Sequence, residues 1–426
     1  MAPAPRRIPP AQRRRRYLYV LAAVIALAGI AIAATAAVIA TTSPAARLGR
    51  APGFGAGGGQ LVNPQGAGAL VPAADLVSDP VFVNLKMGFA LETTERNSVT
   101  VERLARSDDG GRSWHISGAP FPVAGDFSTL QFISPRQGYV FGDSGLLVTS
   151  DGGRHWSLVP GLDGTLERAI PIGRNVWATF TRCVGVPGPS SRCPVLLAVS
   201  HDAGRHWHTV GQTPLTEAPS PSGGDVLARY SLSVAYLVSY GTSGGGLAET
   251  LDNGAHWKVL PDPCSEGFAK VDLAAPAAGQ LWLICGALAS SAGSLASPTS
   301  LASPGYLQPK VVYRSFDGGR SWKVMASSGF GKVATRPLGS IPLSGGISQL
   351  ATISSTIAWL GLSHVGVIVS FDSGRDWQLA EGFRPGAAPS SVGVTFNNAV
   401  DGWAVAFRSG VWRTTDAIHW HLIGGA

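Results

Sequence analysis

One short pattern, Ser/Thr-x-Asp-x-Gly-x-x-Trp, recurs along this 426-residue chain and narrows what it can fold into. The first three copies are Ser107, Asp109, Gly111, Trp114; Thr149, Asp151, Gly153, Trp156; and Ser200, Asp202, Gly204, Trp207. Three more follow as Thr250, Asp252, Gly254, Trp257; Ser315, Asp317, Gly319, Trp322; and Ser370, Asp372, Gly374, Trp377. A seventh, Thr414, Asp416 and Trp420, is one residue short and has Ile418 where the others have glycine. Each copy follows an apolar alternating stretch, such as Gly145 to Val148, and precedes a short strand, which places it on a β-hairpin turn. An aspartate there accepts backbone N–H groups two residues on, with the preceding Ser or Thr supporting its carboxylate. The glycine supplies positive φ, and the Trp buries its ring while its indole N–H finds a backbone acceptor. Turn stability accounts for these aspartates without catalysis or metal binding.

A second repeat runs in step with the first. A strand centred on Phe89, Tyr139, Trp177, Tyr236, Trp282, Trp359 or Trp403 precedes each turn, and a further apolar strand precedes that. Successive turn aspartates lie 42, 51, 50, 65, 55 and 44 residues apart. Four short strands at such a period make a propeller blade, and seven blades close a ring. The expected fold is therefore all-β, a seven-bladed β-propeller over 70–426. Of twelve tryptophans, seven lie in the turns and four in the aromatic strands, so packing between blades uses them. Trp412, in the third strand of the last blade, is left over. Closure has two possible forms: 67–71 adds a strand to the last blade, or the first and last blades pack directly.

The pattern resembles the Asp-box, or BNR, repeat from about Val81 to the C-terminus. Asp-boxes occur in propellers of sialidases, sortilin-type receptors, some glycanases and photosystem assembly factors. The resemblance implies that the box joins the third and fourth strands of a blade, away from the working face. It is nearest in type to the stand-alone photosystem-assembly or sortilin-like propellers, which implies a binding or assembly role with a protein or glycan on the loop face. The sialidase Arg-Ile-Pro motif is absent from the propeller, since Arg7-Ile8-Pro9 lies in the N-terminal tail.

The N-terminus carries an address. Six arginines in 1–16 precede an apolar run from Tyr17 to Ala40, long enough for a bilayer that needs about 20 residues. The expected organisation is a cytoplasmic basic tail at 1–16, a transmembrane signal-anchor helix at 17–41 and a flexible Gly/Pro/Ala spacer at 42–69. The arginines place the N-terminus inside and the propeller outside the cytoplasmic membrane. Small residues at Thr42 to Ala46 leave cleavage open as the alternative. Residues 1–50 hold eight basic and no acidic residues, leaving 25 bases against 26 acids elsewhere. A near-neutral propeller excludes nucleic acid as a partner, because that needs a basic footprint. Four cysteines fit an oxidising compartment, with Cys183–Cys193 and Cys264–Cys285 as expected disulfides. No spacing indicates zinc, and no cofactor is implied.

Chemistry is sought on the loop face, where Glu92, Glu95, Asp126, Asp143, Asp163 and Glu167 fall. Asp126 and Asp143 are the candidate pair for glycoside hydrolysis, the alternative to a scaffold, since that reaction needs two carboxylates about 5–10 Å apart. His206-Trp207-His208 and His419-Trp420-His421 each place two imidazoles on one strand face but lack a third ligand.

Overall fold

The computed structural model describes residues 68–76, 80–96, 99–122, 127–142, 144–160, 162, 165–181, 193–217, 224–240, 246–264, 268–287, 307–328, 339–385, 391–406 and 409–425. The expected tail and membrane span, and all but the last two residues of the spacer, lie outside these. No helix among the described residues is long and apolar enough to cross a membrane.

The described residues form seven antiparallel sheets, each a meander in chain order, which are the seven blades of a β-propeller. The blades occupy 81–117, 127–158, 165–217, 224–260, 268–327, 347–379 and 392–425. Each blade's first strand touches its neighbour's at the ring centre. Second strands are buried end to end, as in Gly138–Gly142, Ala358–Leu362 and Gly402–Ala406, because a neighbouring sheet covers each face. Fourth strands form the rim, and Ser157–Leu158 and Gln378–Leu379 are exposed there.

The aromatic residue of each second strand packs against the next blade. Phe89 stacks on Phe132 at 3.7 Å and Trp359 on Phe396 at 3.7 Å. The ring closes by the same contact: Trp403 of blade seven stacks on Phe82 of blade one at 3.9 Å. Its indole N–H donates to the Gly110 carbonyl at 2.9 Å, just as Trp359 donates to the Ala417 carbonyl at 3.3 Å. Leu70–Val71 pairs with Trp114 and His115, adding a fifth strand to the rim of blade one rather than to the last blade. Direct packing, the second expected form of closure, is the one found.

The recurring turn joins the third and fourth strands of every blade. In the first copy the Ser107 hydroxyl donates to Asp109 at 2.8 Å and accepts the Gly111 N–H at 2.8 Å. Asp109 then accepts the N–H groups of Arg112 at 2.9 Å and Ser113 at 3.0 Å. These lie three and four residues on, one and two residues further than the Asx geometry expected from the sequence, because in the six full copies two consecutive residues take positive φ. The first of the two need not be glycine: Ala203, Asn253 and Ser373 stand there with φ of 64°, 64° and 67°, and in the shortened last copy Ala417, at 64°, is the single positive-φ residue. In the shortened last copy Asp416 accepts from Ile418 and His419 instead, so one residue is lost without losing the turn. That first residue also donates its N–H to the turn between strands one and two: Gly110 to Lys86, Gly152 to Arg136, Ala203 to Arg174, Asn253 to Ser233, Gly318 to Gly279, Ser373 to Thr356 and Ala417 to Val400. The two turns of each blade thus make one face of the ring.

Candidate functional site

The opposite face, formed by the loops between strands two and three and between blades, is where the blades differ. Second strands run nine residues in blade one (Gly88–Arg96), seven in blade three (Asn175–Thr181) and eight in blade five (Gln280–Ala287). They run five in blades two, six and seven. All begin at the turn-bearing face, so the extra length rises on the loop side. At about 3.3 Å per residue, blade one stands roughly 13 Å above its short neighbour.

These tall blades are braced where they rise. In blade one, the Glu92 carboxylate and the Arg103 guanidinium, both buried, form an ion pair at 3.2 Å across the hairpin. In blade five, Cys285 is bonded to Cys264 of the connection from blade four, as expected. Cys193, which opens the third strand of blade three, is disulfide-bonded, and its expected partner Cys183 lies outside the described residues. Lys310 opens the third strand of blade five, fully buried. Its ammonium donates to the carbonyls of Gln308 at 2.7 Å, Pro342 at 3.1 Å, Leu343 at 3.2 Å and Ser344 at 3.2 Å. Burial pushes this amine down to about 7, while the four carbonyls favour its charged form. The cage ties the loop that leads into blade six.

First strands are stitched by side chains. Asp272 accepts the Leu350 N–H of blade six at 2.8 Å, and Gln349 accepts the Val394 N–H of blade seven at 2.8 Å. Between blades three and four the apolar interface ends toward the loops in a polar layer. Arg168 pairs in register with Thr179, and Asp225 pairs with Ser239 on the facing sheet. Asp225, Thr179 and Ser239 are buried, and the Thr179 hydroxyl faces the Asp225 carboxyl without forming a well-aligned hydrogen bond. Burial pushes the Asp225 carboxyl up to about 6, with Thr179 and Arg168 pulling it the other way. Sequence reasoning missed this layer because Asp225 reads as one more acid at a strand start.

The sequence-predicted residues divide cleanly. The turn residues Asp109, Asp151, Asp202, Asp252, Asp317, Asp372 and Asp416 all lie on the far face from the tall blades. Glu92 is held in its ion pair. Asp126, Asp143 and Asp163 lie outside the described residues, as do the side chains of Glu95 and Glu167. The histidine pairs do not share a strand face. His206 precedes the strand and turns back to Asp202 at 2.5 Å, and His419 bonds Asp416 at 2.6 Å and Glu381 at 3.0 Å. Each fills the slot where Ser113 and Ser321 bond their own turn aspartates. Trp412, left over in the sequence, packs on Phe383 at 4.6 Å in the core.

No family model matches the chain, and no curated protein matches it. Among solved structures it is similar to YCF48 bound to a D1 peptide, at 16% identity and TM-score 0.51, over 82% of this chain and 95% of that one. It is also similar to an ancestral GH74 enzyme, at 14% identity and TM-score 0.52, over 85% of this chain and 47% of that one. The chain thus spans about half the GH74 structure, and at these identities the likeness is one of fold.

Proposed function

We propose that this protein is a binding or assembly scaffold that holds a protein or glycan ligand on the loop face of an extracytoplasmic propeller. In this reading the segment 17–41 anchors it in the cytoplasmic membrane with the N-terminus inside. The observation that carries the proposal is the placing of the braces. The ion pair Glu92–Arg103, the disulfide Cys264–Cys285, the bonded Cys193 and the Lys310 cage all stiffen the walls of one face. Rigid walls around a surface lower the ordering cost of binding there, and propellers present ligands on loops held by a stiff frame. The YCF48 structure, matched over nearly its whole length, contains a peptide by its own description, which supports a peptide as the ligand.

The second reading is a glycoside hydrolase using Asp126 and Asp143, the carboxylate pair the sequence offers for that reaction, supported by the GH74 fold likeness. The full chain in detergent, screened on a glycan array, on fluorogenic glycosides and by crosslinking at the membrane, separates the two. The scaffold predicts binding without turnover. Turnover lost on Asp126→Asn or Asp143→Asn would replace it with the hydrolase.

A further inference from the structure

Structurally equivalent positions on the turn-bearing face change chemistry from one sector of the ring to the other. The residue whose carbonyl receives the recurring turn's N–H is Lys86, Arg136 and Arg174 in blades one to three, but Ser233, Gly279, Thr356 and Val400 in blades four to seven. That bond uses backbone alone, so the fold asks for no cation there. Three residues after the turn aspartate an arginine stands in five blades, as Arg112, Arg154 and Arg205 in blades one to three, Arg320 in blade five and Arg375 in blade six. Only in blades one to three does it sit beside a second cation from the other turn. All six cations of those three blades are exposed. The carboxylates of this sector are already engaged: Asp109, Asp151 and Asp202 accept N–H groups of their own turns, and Asp108 pairs with Arg106 at 2.7 Å. In blade five, by contrast, Arg320 is paired with Glu249 at 3.0 Å.

The residue just before the turn aspartate shows the reverse trend. It is Asp108, Ser150 and His201 in blades one to three, and Leu251, Phe316 and Phe371 in blades four to six. With Tyr230 and Leu232 from the other turn of blade four, Leu251 and Phe316 leave apolar surface in water, at 42%, 54%, 57% and 53% exposure respectively. Nothing in the turn requires an apolar side chain there, since four other blades do without one, blade seven having Thr415.

A basic sector beside an apolar sector on one face is the composition of a surface that rests on an anionic bilayer. Cations meet headgroup phosphates, and apolar side chains enter the interfacial layer. An acidic peptide or polysaccharide would occupy the basic sector and leave the apolar residues in water, so a bilayer is the partner that uses both. We infer that the turn-bearing face docks on an anionic lipid surface, with the six cations of blades one to three on phosphate and Leu232, Leu251 and Phe316 at headgroup level. This orientation directs the loop face away from the lipid, and it holds whether or not 17–41 spans the membrane.

The compact unit Gln65–Ala426 contains every described strand and both sides of the closing contact, so it serves for the test without the N-terminal apolar run. It is sedimented with phosphatidylcholine vesicles, with and without phosphatidylglycerol, at low and high salt. The expected result is binding that needs phosphatidylglycerol and weakens with salt. The triple variant Arg136→Ser/Arg154→Ser/Arg174→Ser should bind on the order of a hundred-fold more weakly, at roughly five-fold per cation. Leu232→Ser/Leu251→Ser should weaken the binding that survives high salt. All substituted sites are exposed, and unchanged melting of the variants checks that they fold. Equal binding to both vesicle types, no binding to either, or indifference to the triple variant would overturn the inference. Binding to polyglutamate or an acidic polysaccharide without vesicle binding would overturn it too, leaving a polyanion surface in its place.

Discussion

Asp225 and the turn aspartates are the same residue type driven in opposite directions by their surroundings. Burial pushes Asp109 and Asp151 upward, but hydrogen bonds from their own turns outweigh it and hold both at about 2. Asp225 is buried more deeply than Thr179 and Arg168 beside it can offset, and rises to about 6. The signs of the linkage follow. Stability from Asp109 and Asp151 is present above the ordinary carboxylate value near 4 and is lost as pH falls through about 2. Asp225 prefers to be protonated in the folded state, so the stability it favours is present below about 4 and is lost as pH rises through about 6. Asp225→Asn, which keeps the shape and removes the charge, should therefore raise stability at pH 8 by about 1–3 kcal/mol and change little at pH 4. Urea unfolding at the two pH values checks this, and a variant less stable at pH 8 would mean that the charge is bound by a partner. His419, raised by its bond to Asp416, contributes with the same sign as Asp225 through a higher window. The sequence shows the turn bonds, because their donors lie within four residues, whereas the facing sheet that desolvates Asp225 comes from another blade.

At the level of the element, the recurring turn explains why one of its positive-φ positions is variable and the other is glycine in all six full copies. The first faces its own blade's other turn and accommodates the Cβ of Ala203, Asn253, Ser373 and Ala417. The second is pressed against the preceding blade: a Cβ on Gly153 would stand 2.0 Å from Leu104 Cδ2 and one on Gly254 2.4 Å from Leu197 Cδ2. Gly153→Ala should cost about 3 kcal/mol, from left-handed backbone strain together with the displacement of Leu104. Ser373→Gly should cost less than about 1 kcal/mol, since the backbone conformation is unchanged. Equilibrium denaturation of the pair tests the distinction, and equal losses would show that the glycine serves the turn alone. The sequence reading assigned this glycine to turn geometry, which is half its role. The other half is contact between blades, which no local pattern contains.

For the whole molecule, the seam between blades seven and one is held by the same stack and indole bond that join blades six and seven, with no strand shared across it. Closure therefore rests on side-chain packing, and Trp403 carries much of it. Trp403→Ala should cost about 3–5 kcal/mol. Because the seam lacks a covalent or β-ladder tie, amides of blades one and seven should gain hydrogen exchange before those of blades three to five. Protection lost evenly around the ring would show instead that the propeller opens as one unit. The disulfide Cys264–Cys285 lies on the far side of the ring from this seam, in blades four and five.

The repeat, the strand count, the position of each turn between third and fourth strands and the Cys264–Cys285 pair were legible in the chain. Each depends on residues close in sequence or on a period repeated often enough to be read. The height of blade five was half visible, as the 65-residue spacing before its turn. Blades three, four and six, at 51, 50 and 55, are spaced alike though only blade three is tall, since spacing does not tell a taller strand from a longer loop. The Lys310 cage, the stitches from Asp272 and Gln349, the polar layer around Asp225 and the division of the turn-bearing face into basic and apolar sectors came only from the tertiary structure. Those features are set by which residues of different blades meet across the ring. A chain whose neighbours in space lie 30 to 300 positions apart does not display them until it has closed.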